Sequence, residues 1–323
     1  MAGSYQRIDY RLRPAKSVER KMLADAFRKL SEFGRLDAYR YIGFGSLYFM
    51  DFVLFHKLLG FKSMVSIENE EDATKQRRFD YNLPYKHVKM EFGSSSTVLP
   101  RLPWDVRSIV WLDYDGRLNR SVLQDIAYVV SKAVSGSMLL ISANASLPSS
   151  QTEDGQTASR KPLDQLEAQI GLEKIPAGLQ DSDLAGWNVA KILRSVIDSE
   201  IADTLVTVNR TRSAGAKLVY RQLFNFHYQD GARMLTVGGI LYDEGQEANL
   251  AKCGFNQLDF FRDGDMPYKI ETPLLTYKEM RRIDTLIPLE AHDFANIPIP
   301  ESEIQKYIDF YRYLPHFAET EGQ

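Results

Sequence analysis

Residues 39–68 read YRYIGFGSLYFMDFVLFHKLLGFKSMVSIE. A short apolar run at 39–43 ends in the motif GFGS at 43–46, and an apolar stretch with helical spacing follows at 48–59 before a second short run at 63–67. This order of strand, glycine turn, helix and strand predicts a βαβ unit with parallel strands. The glycines let the backbone turn sharply and approach a ligand closely, although a GxG motif alone is equally compatible with a purely structural turn.

The same alternation continues towards the C-terminus. Further strands are predicted at 88–92, 108–112 and 138–143, and further helices at 72–81, 95–99, 120–135, 163–171 and 184–208. Two β-rich runs, 217–228 and 232–242, then flank Asp230-Gly231, a dipeptide typical of hairpin turns. We therefore predict an α/β fold with a mostly parallel sheet that ends in an antiparallel hairpin.

The N-terminal arm differs from the rest of the chain in charge. Residues 7–40 contain ten basic and five acidic residues, so this segment carries a formal charge of +5 and the remainder −8. Apolar residues recur with helical spacing over 18–33, with Ser17 as a candidate N-cap and Gly34 as a candidate stop. The arm is predicted to be an extended lead at 8–16 followed by an amphipathic helix.

These patterns give a domain organisation. We expect a basic arm at 1–38, a sheet domain at 39–243 with a helical insertion at about 148–209 that forms the acceptor wall, and a C-terminal helical extension at 244–323 packed on the same domain. In that extension, the sequence TYKE at 276–279 is a capping box for a helix through residue 287, and a last helix is predicted at 301–313.

Composition excludes several classes of protein. The chain has 323 residues, 44% of them hydrophobic and 26% charged, which is the usual mixture of a soluble globular protein. A net charge of −3 argues against a strongly basic nucleic-acid-coating protein, and the single Cys253 excludes an internal disulfide framework. Because there is no apolar run of ~20 residues and no signal-peptide core, a cytoplasmic location without a membrane partner is expected.

Acidic residues follow two of the predicted strands. Glu68 ends the second strand, 23 positions after Gly45, and a carboxylate about 20 residues beyond a glycine turn accepts hydrogen bonds from ribose hydroxyls in adenosine sites. A solvated loop acid is the alternative. Asp113 and Asp115 follow the fourth strand, where an acid can contact a cofactor, act as a base or bind a metal. For Asp115, a simple turn with Gly116 is the alternative.

Three further polar residues are candidates for binding. Ser94 follows the third strand, where its hydroxyl would contact an adenine edge or simply cap the next helix. In the basic lead, Arg13 and Lys16 flank Pro14 and are candidates to clamp an anionic substrate, whereas the other charges of the arm are expected to form a solvated helix face. The histidines show no HxH or HExxH spacing, and no GxSxG motif supports a serine hydrolase.

As a set, these motifs resemble a bacterial family called putative O-methyltransferases, which belongs to the Rossmann-like, S-adenosylmethionine-dependent methyltransferases. The resemblance is carried by four stretches, which are GFGSLYFMDF at 43–52, SIE at 66–68, FGSS at 92–95 and VWLDYDG at 110–116. It extends over most of the chain, from residues 12–22 into the capped helix near Thr276. This class closes its sheet with an antiparallel seventh strand, in agreement with the predicted hairpin.

The resemblance also implies roles for individual residues. It assigns Gly43, Phe44, Gly45 and Ser46 to the turn that holds the methionine part of the cofactor, Glu68 to the ribose, Ser94 to the adenine, and Asp113 to the surroundings of the methyl group. Asp115 is then a candidate base or acceptor-orienting group, beside Asp113. Asn144, at the end of the fifth strand, is a candidate substrate-binding residue together with Arg13 and Lys16.

The chain departs from the pattern of this class at two positions. Tyr41 stands where an acid usually precedes the first glycine by two residues, and Leu47 stands at the place of the third glycine. The sequence DYD at 113–115 and Asn144 are similar to the ligands of metal-dependent catechol-type O-methyltransferases, but Ala143 replaces the acid of those sites. No metal is therefore assigned.

Three functions stay open at this point. Methyl transfer to a small-molecule acceptor is preferred. Methylation of nucleic acid or protein has support only from the +5 arm, which lacks interleaved aromatic residues. A nucleotide-binding interaction protein without turnover is motivated by Tyr41 and Leu47, and an NAD-dependent dehydrogenase is a weaker fourth reading. The long hairpin at 217–242 offers a surface for pairing between subunits, so a homodimer is a further alternative.

Overall fold

The computed structural model describes residues 13–147, 161–288 and 297–315. The helices in these ranges are α1 (Pro14–Arg28), α2 (Met50–Leu59), α3 (Ala73–Tyr81), α4 (Ser95–Val98), α5 (Arg120–Lys132), α6 (Pro162–Ile170), α7 (Asn188–Val208), α8 (Glu247–Cys253), α9 (Tyr277–Asp284) and α10 (Glu301–Phe310). The strands are β1 (Arg40–Gly43), β2 (Ser63–Glu68), β3 (Val88–Phe92), β4 (Ser108–Arg117), β5 (Ser137–Asn144), β6 (Leu218–Asp230), β7 (Ala232–Asp243) and β8 (Tyr268–Ile270). Residues 8–12 of the predicted lead, 148–160 of the predicted insertion and the end of the predicted extension lie outside the described residues.

The strands form one sheet with the order β3-β2-β1-β4-β5-β7-β6-β8. Strands β1 to β5 pair in parallel, whereas β7 runs antiparallel to both β5 and β6. This arrangement confirms the predicted α/β fold, with a mostly parallel sheet and a terminal antiparallel hairpin. The strand order reverses between β1 and β4, and a doubly wound sheet binds ligands in the crevice at such a reversal.

The hairpin turns at the predicted dipeptide. Strands β6 and β7 meet at Gly231, whose φ of +94° favours glycine. The additional strand β8 pairs in parallel with the outer side of β6 over three residues. Strand β8 was not predicted, because three residues are too short to show a strand period.

Apolar layers cover both faces of the sheet. Side chains alternate along each strand, so Tyr41 packs into one layer and Ile42 into the other. Helices α1, α2, α8 and α10 contribute to the layer on the Tyr41 face, and α5, α6 and α7 contribute to the layer on the Ile42 face. Within the described ranges, no helix combines the length and the hydrophobicity needed to cross a membrane.

The arm helix begins earlier than predicted. Helix α1 starts at Pro14, so Lys16 is helical, and the prediction of Ser17 as the N-cap was wrong. Proline is favoured in the first turn because its fixed φ suits the helix. The cap comes from the distant hairpin tip, where the Asp230 carboxylate accepts hydrogen bonds from the backbone N–H groups of Ala15 and Lys16 at 3.3 and 2.9 Å.

Other boundaries differ by a few residues. Strand β4 continues beyond the predicted 108–112, because a register shift after Asp113 restores pairing between Arg117 and Asn144. The capping box is present as predicted, with Thr276 and Glu279 exchanging hydrogen bonds between side chain and backbone N–H, although α9 ends at Asp284 rather than at residue 287.

Candidate functional site

A cleft of about 340 Å³ opens at the carboxyl ends of β1, β2, β3 and β4. Its wall brings together most of the predicted site residues, namely Phe44, Gly45, Ser46, Glu68, Ser94, Asp113 and Asp115. Arg20 and Asp51, which the sequence did not single out, belong to the same wall. This volume falls within the usual range of pockets for small molecules and cofactors.

The glycine turn is fixed by close packing beneath it. A Cβ atom on Gly45 would lie 2.5 Å from Ser66 Oγ and 2.6 Å from the Phe49 ring, so only glycine fits there. The Gly45 N–H donates a 3.0 Å hydrogen bond to the same Ser66 hydroxyl. Ser46 and Phe49 have φ values of 45° and 48°, in the left-handed region. Such strained backbone persists where the surrounding structure enforces it, often at functional sites.

Tyr41 stands where an acid usually precedes the glycine turn, and Asp51 supplies a carboxyl group nearby. Tyr41 is buried beneath the turn, and its hydroxyl donates a short hydrogen bond to the Asp51 carboxylate. Asp51 lies in the first turn of α2 and is 6% exposed, on the wall of the cleft. Burial raises the pKa of Asp51, against the opposing effects of the Arg20 charge and the Tyr41 hydrogen bond. A carboxyl group therefore stands beside the glycine turn, although a helix rather than β1 supplies it.

Glu68 lies at the end of β2, next to the glycine turn. Burial raises the pKa of its carboxyl group from 4.5 to about 7, even though a hydrogen bond with the Ser46 backbone N–H favours the ionised form. The negative charges of Asp51 and Asp115 raise this pKa further. At neutral pH the group is thus divided between its protonated and ionised states.

The wall near Ser94 carries hydroxyl groups and aromatic rings. The Ser94 hydroxyl donates to Thr97 Oγ1 at 3.1 Å. Beside it, the Asp125 carboxylate accepts hydrogen bonds from the hydroxyls of Ser95 and Tyr114 at 2.5 and 2.6 Å, and the Tyr114 ring packs edge-on against Phe44. Flat aromatic surface with fixed hydroxyl groups is suited to contact a purine base.

Lys16 lies behind the cleft and carries the countercharge of Asp113. Its side chain is 1% exposed, and its ammonium group lies 2.5 Å from Asp113 Oδ1, 2.8 Å from a Glu19 oxygen and 3.1 Å from the Tyr228 hydroxyl. The ammonium also stacks over the Trp111 ring at 4.2 Å. Desolvation would raise the pKa of Asp113, but the Lys16 charge and hydrogen bond outweigh it and lower the pKa. The structure thus places Lys16 among internal partners.

Asp115 lines the cleft, whereas Arg13 and Asn144 are not among its lining residues. Arg13 is buried at the start of α1, and its guanidinium lies 3.6 Å from Asp115, whose side chain is 34% exposed at the mouth. Asn144 ends β5, where its side-chain oxygen accepts a 2.9 Å hydrogen bond from the Ser146 N–H. Gly43 is also not among the lining residues of the cleft, and a Cβ atom on it would lie 2.6 Å from the Tyr41 hydroxyl.

A family model provides the decisive comparison. The family described as "Putative O-methyltransferase" matches residues 8–322.

The chain belongs to this O-methyltransferase family. The membership confirms the predicted resemblance and the predicted methyltransferase class. No curated protein matches the sequence.

Solved structures of methyltransferases are similar to this chain at low identity. Trm1 from Pyrococcus horikoshii, solved with S-adenosyl-L-methionine, is 13% identical over 72% of this chain and 57% of its own, with a TM-score of 0.43. An O-methyltransferase family protein from Burkholderia thailandensis is 11% identical over 68% and 55%, with a TM-score of 0.34. TomG from Streptomyces achromogenes, solved with SAM, is 13% identical over 68% and 79%, with a TM-score of 0.35. The chain spans little more than half the length of the first two proteins.

In the part of the chain that the structure describes, no three or more His, Cys, Asp or Glu side chains form a group that could hold a metal ion. Asp113 and Asp115, the acids of the DYD sequence, face Lys16 and Arg13 instead. Asn144 accepts its hydrogen bond from the backbone. One oxygen atom of each of these three side chains thus contacts a group of the protein itself.

Sequence reasoning missed Arg20 and Asp51 for different reasons. Arg20 was one of ten basic residues in the arm, and its helical spacing alone does not distinguish a buried cation from a solvated one. Asp51 offered a clearer signal, because it is the single acid in the mostly apolar helix MDFVLFHKLL. A single acid in the first turn of a helix is commonly explained by its interaction with the helix dipole. For this reason Asp51 was not recognised as a site residue.

Proposed function

We propose that this enzyme binds S-adenosylmethionine in the cleft and transfers the methyl group to an oxygen atom of a small-molecule acceptor. The observation that carries the proposal is the meeting of the Gly45–Ser46 turn, Glu68, Ser94 and Asp113 around one cleft at the strand ends. These four features come from four different strand ends, and each matches a different part of the cofactor. A purely structural glycine turn would not require the other three beside it.

The residues of the cleft would hold the cofactor along its length. Glu68 in its ionised form accepts hydrogen bonds from two ribose hydroxyls, while the rings and hydroxyls near Ser94 and Tyr114 face the adenine. When bound, S-adenosylmethionine supplies a methyl carbon activated by a positively charged sulfur atom. Asp113, held in its ionised form by Lys16, would place a negative charge on the cleft wall that favours binding of this positively charged group.

Asp115 is proposed to orient the acceptor. It stands at the mouth of the cleft, partly exposed, so an incoming hydroxyl group can reach it and a proton can leave from it to water. Arg13 holds the carboxylate in place from the opposite side. Methyl transfer from a sulfonium depends mainly on holding the acceptor oxygen in line with the carbon–sulfur bond, so a weak base is sufficient.

The charges of the arm support a small acceptor rather than a nucleic acid. Arg13 and Lys16 are paired inside the protein, and the exposed Arg28 and Arg35 pair with acids on their own segment. These four cations are thus already paired with carboxylates of the protein. A nucleic-acid acceptor would require cations aligned with a phosphate backbone, and its binding would weaken steeply with salt.

Calorimetric titration tests the proposed function. Wild-type protein is expected to bind S-adenosylmethionine and S-adenosylhomocysteine but not NAD⁺. Glu68→Ala should weaken both adenosyl ligands at least about tenfold, because a carboxylate hydrogen bond contributes 1.5–3 kcal/mol. Glu71→Ala removes a nearby exposed acid and is the matched control.

Two results would contradict the proposal. One is the absence of heat with either adenosyl ligand, and the other is an equal loss of affinity in the Glu68 and Glu71 variants. Once binding is established, transfer of a labelled methyl group to a panel of phenols, alcohols, carboxylates and amines tests the preference for oxygen.

A further inference from the structure

Arg20 is a buried cation that has no hydrogen-bond or ion-pair partner among the described residues. Its side chain projects from α1 to the wall of the cleft and is only 7% exposed. Among the described residues, none forms a hydrogen bond or an ion pair with its guanidinium, and its Nε atom is fully buried without an acceptor. A buried charge in this condition is costly for the folded protein unless a ligand pairs with it.

The neighbouring acids are already engaged. Asp113 lies near enough for the Arg20 charge to lower its pKa, but its contact is with Lys16 at 2.5 Å. Asp51 also lies within the electrostatic reach of Arg20, and its hydrogen bond comes from the Tyr41 hydroxyl. The planar fork of Arg20 is therefore available to a ligand with two oxygens in one plane, and a carboxylate has that geometry.

The wall presents opposite charges side by side. Arg20 supplies a cation and Asp51 an anion, both buried and both lining the cleft near Gly45 and Met50. An isolated carboxylate or phosphate would be attracted by Arg20 and repelled by Asp51. A group that carries a carboxylate and an ammonium on one carbon satisfies both side chains. This charge pair is therefore complementary to an α-amino acid.

We propose that Arg20 and Asp51 bind the amino-acid end of the methyl donor, with its carboxylate on Arg20 and its ammonium group on Asp51. This inference rests on the proposed function, since it concerns the same cleft. It makes α1, which lies outside the sheet, part of the donor site. It also accounts for Tyr41 at the position of the usual acid, because Tyr41 orients Asp51 through its hydroxyl.

The test compares three adenosyl compounds by calorimetry. S-Adenosylmethionine carries both charged groups, its decarboxylated form keeps the sulfonium and the amine, and 5′-methylthioadenosine lacks the whole amino-acid end. Wild-type protein is expected to prefer S-adenosylmethionine over the decarboxylated form by about tenfold to hundredfold, the usual effect of a charge-assisted pair. Arg20→Met should abolish this preference by weakening S-adenosylmethionine alone, and Asp51→Asn should weaken both amine-containing ligands but not methylthioadenosine.

Controls separate a direct contact from a loss of structure. Arg28→Met removes a cation from the same helix, on an exposed side, and should leave all three affinities unchanged. Arg20→Lys keeps the charge without the planar fork and should retain part of the preference, which provides a second variant if Arg20→Met unfolds. Thermal unfolding shows whether each variant is folded.

Specific outcomes overturn the inference. Equal weakening of all three compounds in Arg20→Met would make Arg20 a structural residue. A wild-type protein that does not distinguish S-adenosylmethionine from its decarboxylated form would also overturn it, because the carboxylate would then belong to another ligand such as the acceptor. If wild-type protein binds none of the three, including methylthioadenosine, the proposed function itself fails.

Discussion

At the scale of single residues, Lys16 affects the cleft indirectly, through its contact with Asp113. The Lys16 ammonium is enclosed by Asp113, Glu19 and Tyr228, and it fixes the charge of an acid on the cleft wall. The sequence made Lys16 a candidate to clamp an anionic substrate, whereas in the structure its ammonium group faces internal partners. Whether Lys16 faces a substrate or internal partners depends on its burial, and this burial depends on the position of α1 in the whole fold.

Lys16→Met should lower the free energy of unfolding by about 3–5 kcal/mol, because it leaves two carboxylates buried without their countercharge. Urea denaturation measures the effect. The double variant Lys16→Met/Asp113→Asn should be less destabilised than the sum of the two single variants, since the pair interacts directly. Additive effects would show that Lys16 contributes only packing.

The second residue-scale prediction concerns the pH dependence of cofactor binding. The pKa of Glu68 is raised to about 7 by burial, and only the ionised carboxylate accepts hydrogen bonds from both ribose hydroxyls. The affinity for S-adenosylhomocysteine should therefore fall as the pH is lowered through 7, by about tenfold between pH 8 and pH 6. Glu68→Gln should bind more weakly at pH 8 and show a flatter pH profile. An unchanged profile in this variant would assign the titration to another group.

At the scale of elements, the sequence predicts the sheet well and the arm less well. Apolar runs identify β1 to β7, and the carboxyl ends of parallel strands necessarily share an edge, so Glu68, Ser94 and Asp113 were expected to meet. The start of α1 was misplaced because its cap, Asp230, lies far along the chain. Sequence rules for helix N-caps consider only neighbouring residues, and they favoured Ser17.

Removal of that cap is the prediction at this scale. Asp230→Ala should lower the free energy of unfolding by about 1 kcal/mol, since the first N–H groups of α1 lose their acceptor. It should also weaken binding of S-adenosylmethionine more than binding of methylthioadenosine, because α1 carries Arg20. Asp263→Ala removes an exposed acid without a described contact and serves as the control. Equal stability of the two variants would show that the cap is dispensable.

At the scale of the whole molecule, the cleft joins parts of the chain that are distant in sequence. Arg20 comes from α1, Asp51 from α2, Glu68 from β2 and Asp115 from β4. Only the last two could be assigned from the sequence, because a short apolar run predicts where a strand ends. The position of a helix across a sheet face is decided by packing over the entire fold, and Arg20 follows from that packing.

A donor that contacts all these elements should stabilise them together. At a concentration 100 times its Kd, S-adenosylmethionine is expected to add about 2.7 kcal/mol to the free energy of unfolding. Differential scanning calorimetry should then show one transition at a higher temperature, with a smaller rise for methylthioadenosine at the same concentration. Separate transitions, with only one responding to the ligand, would contradict a single cooperative unit.

The cap on α1 has a consequence for the order in which the protein is made. Helix α1 leaves the ribosome early, but its acceptor Asp230 is synthesised about 215 residues later. At 5–20 residues per second, roughly 10–40 s separate the two events. During that interval the apolar side of α1 has no finished sheet to cover, and Lys16 has no Asp113 to meet. Helix α1 therefore gains its cap only after the hairpin tip has emerged, and the proposed methyl-donor site is completed only then.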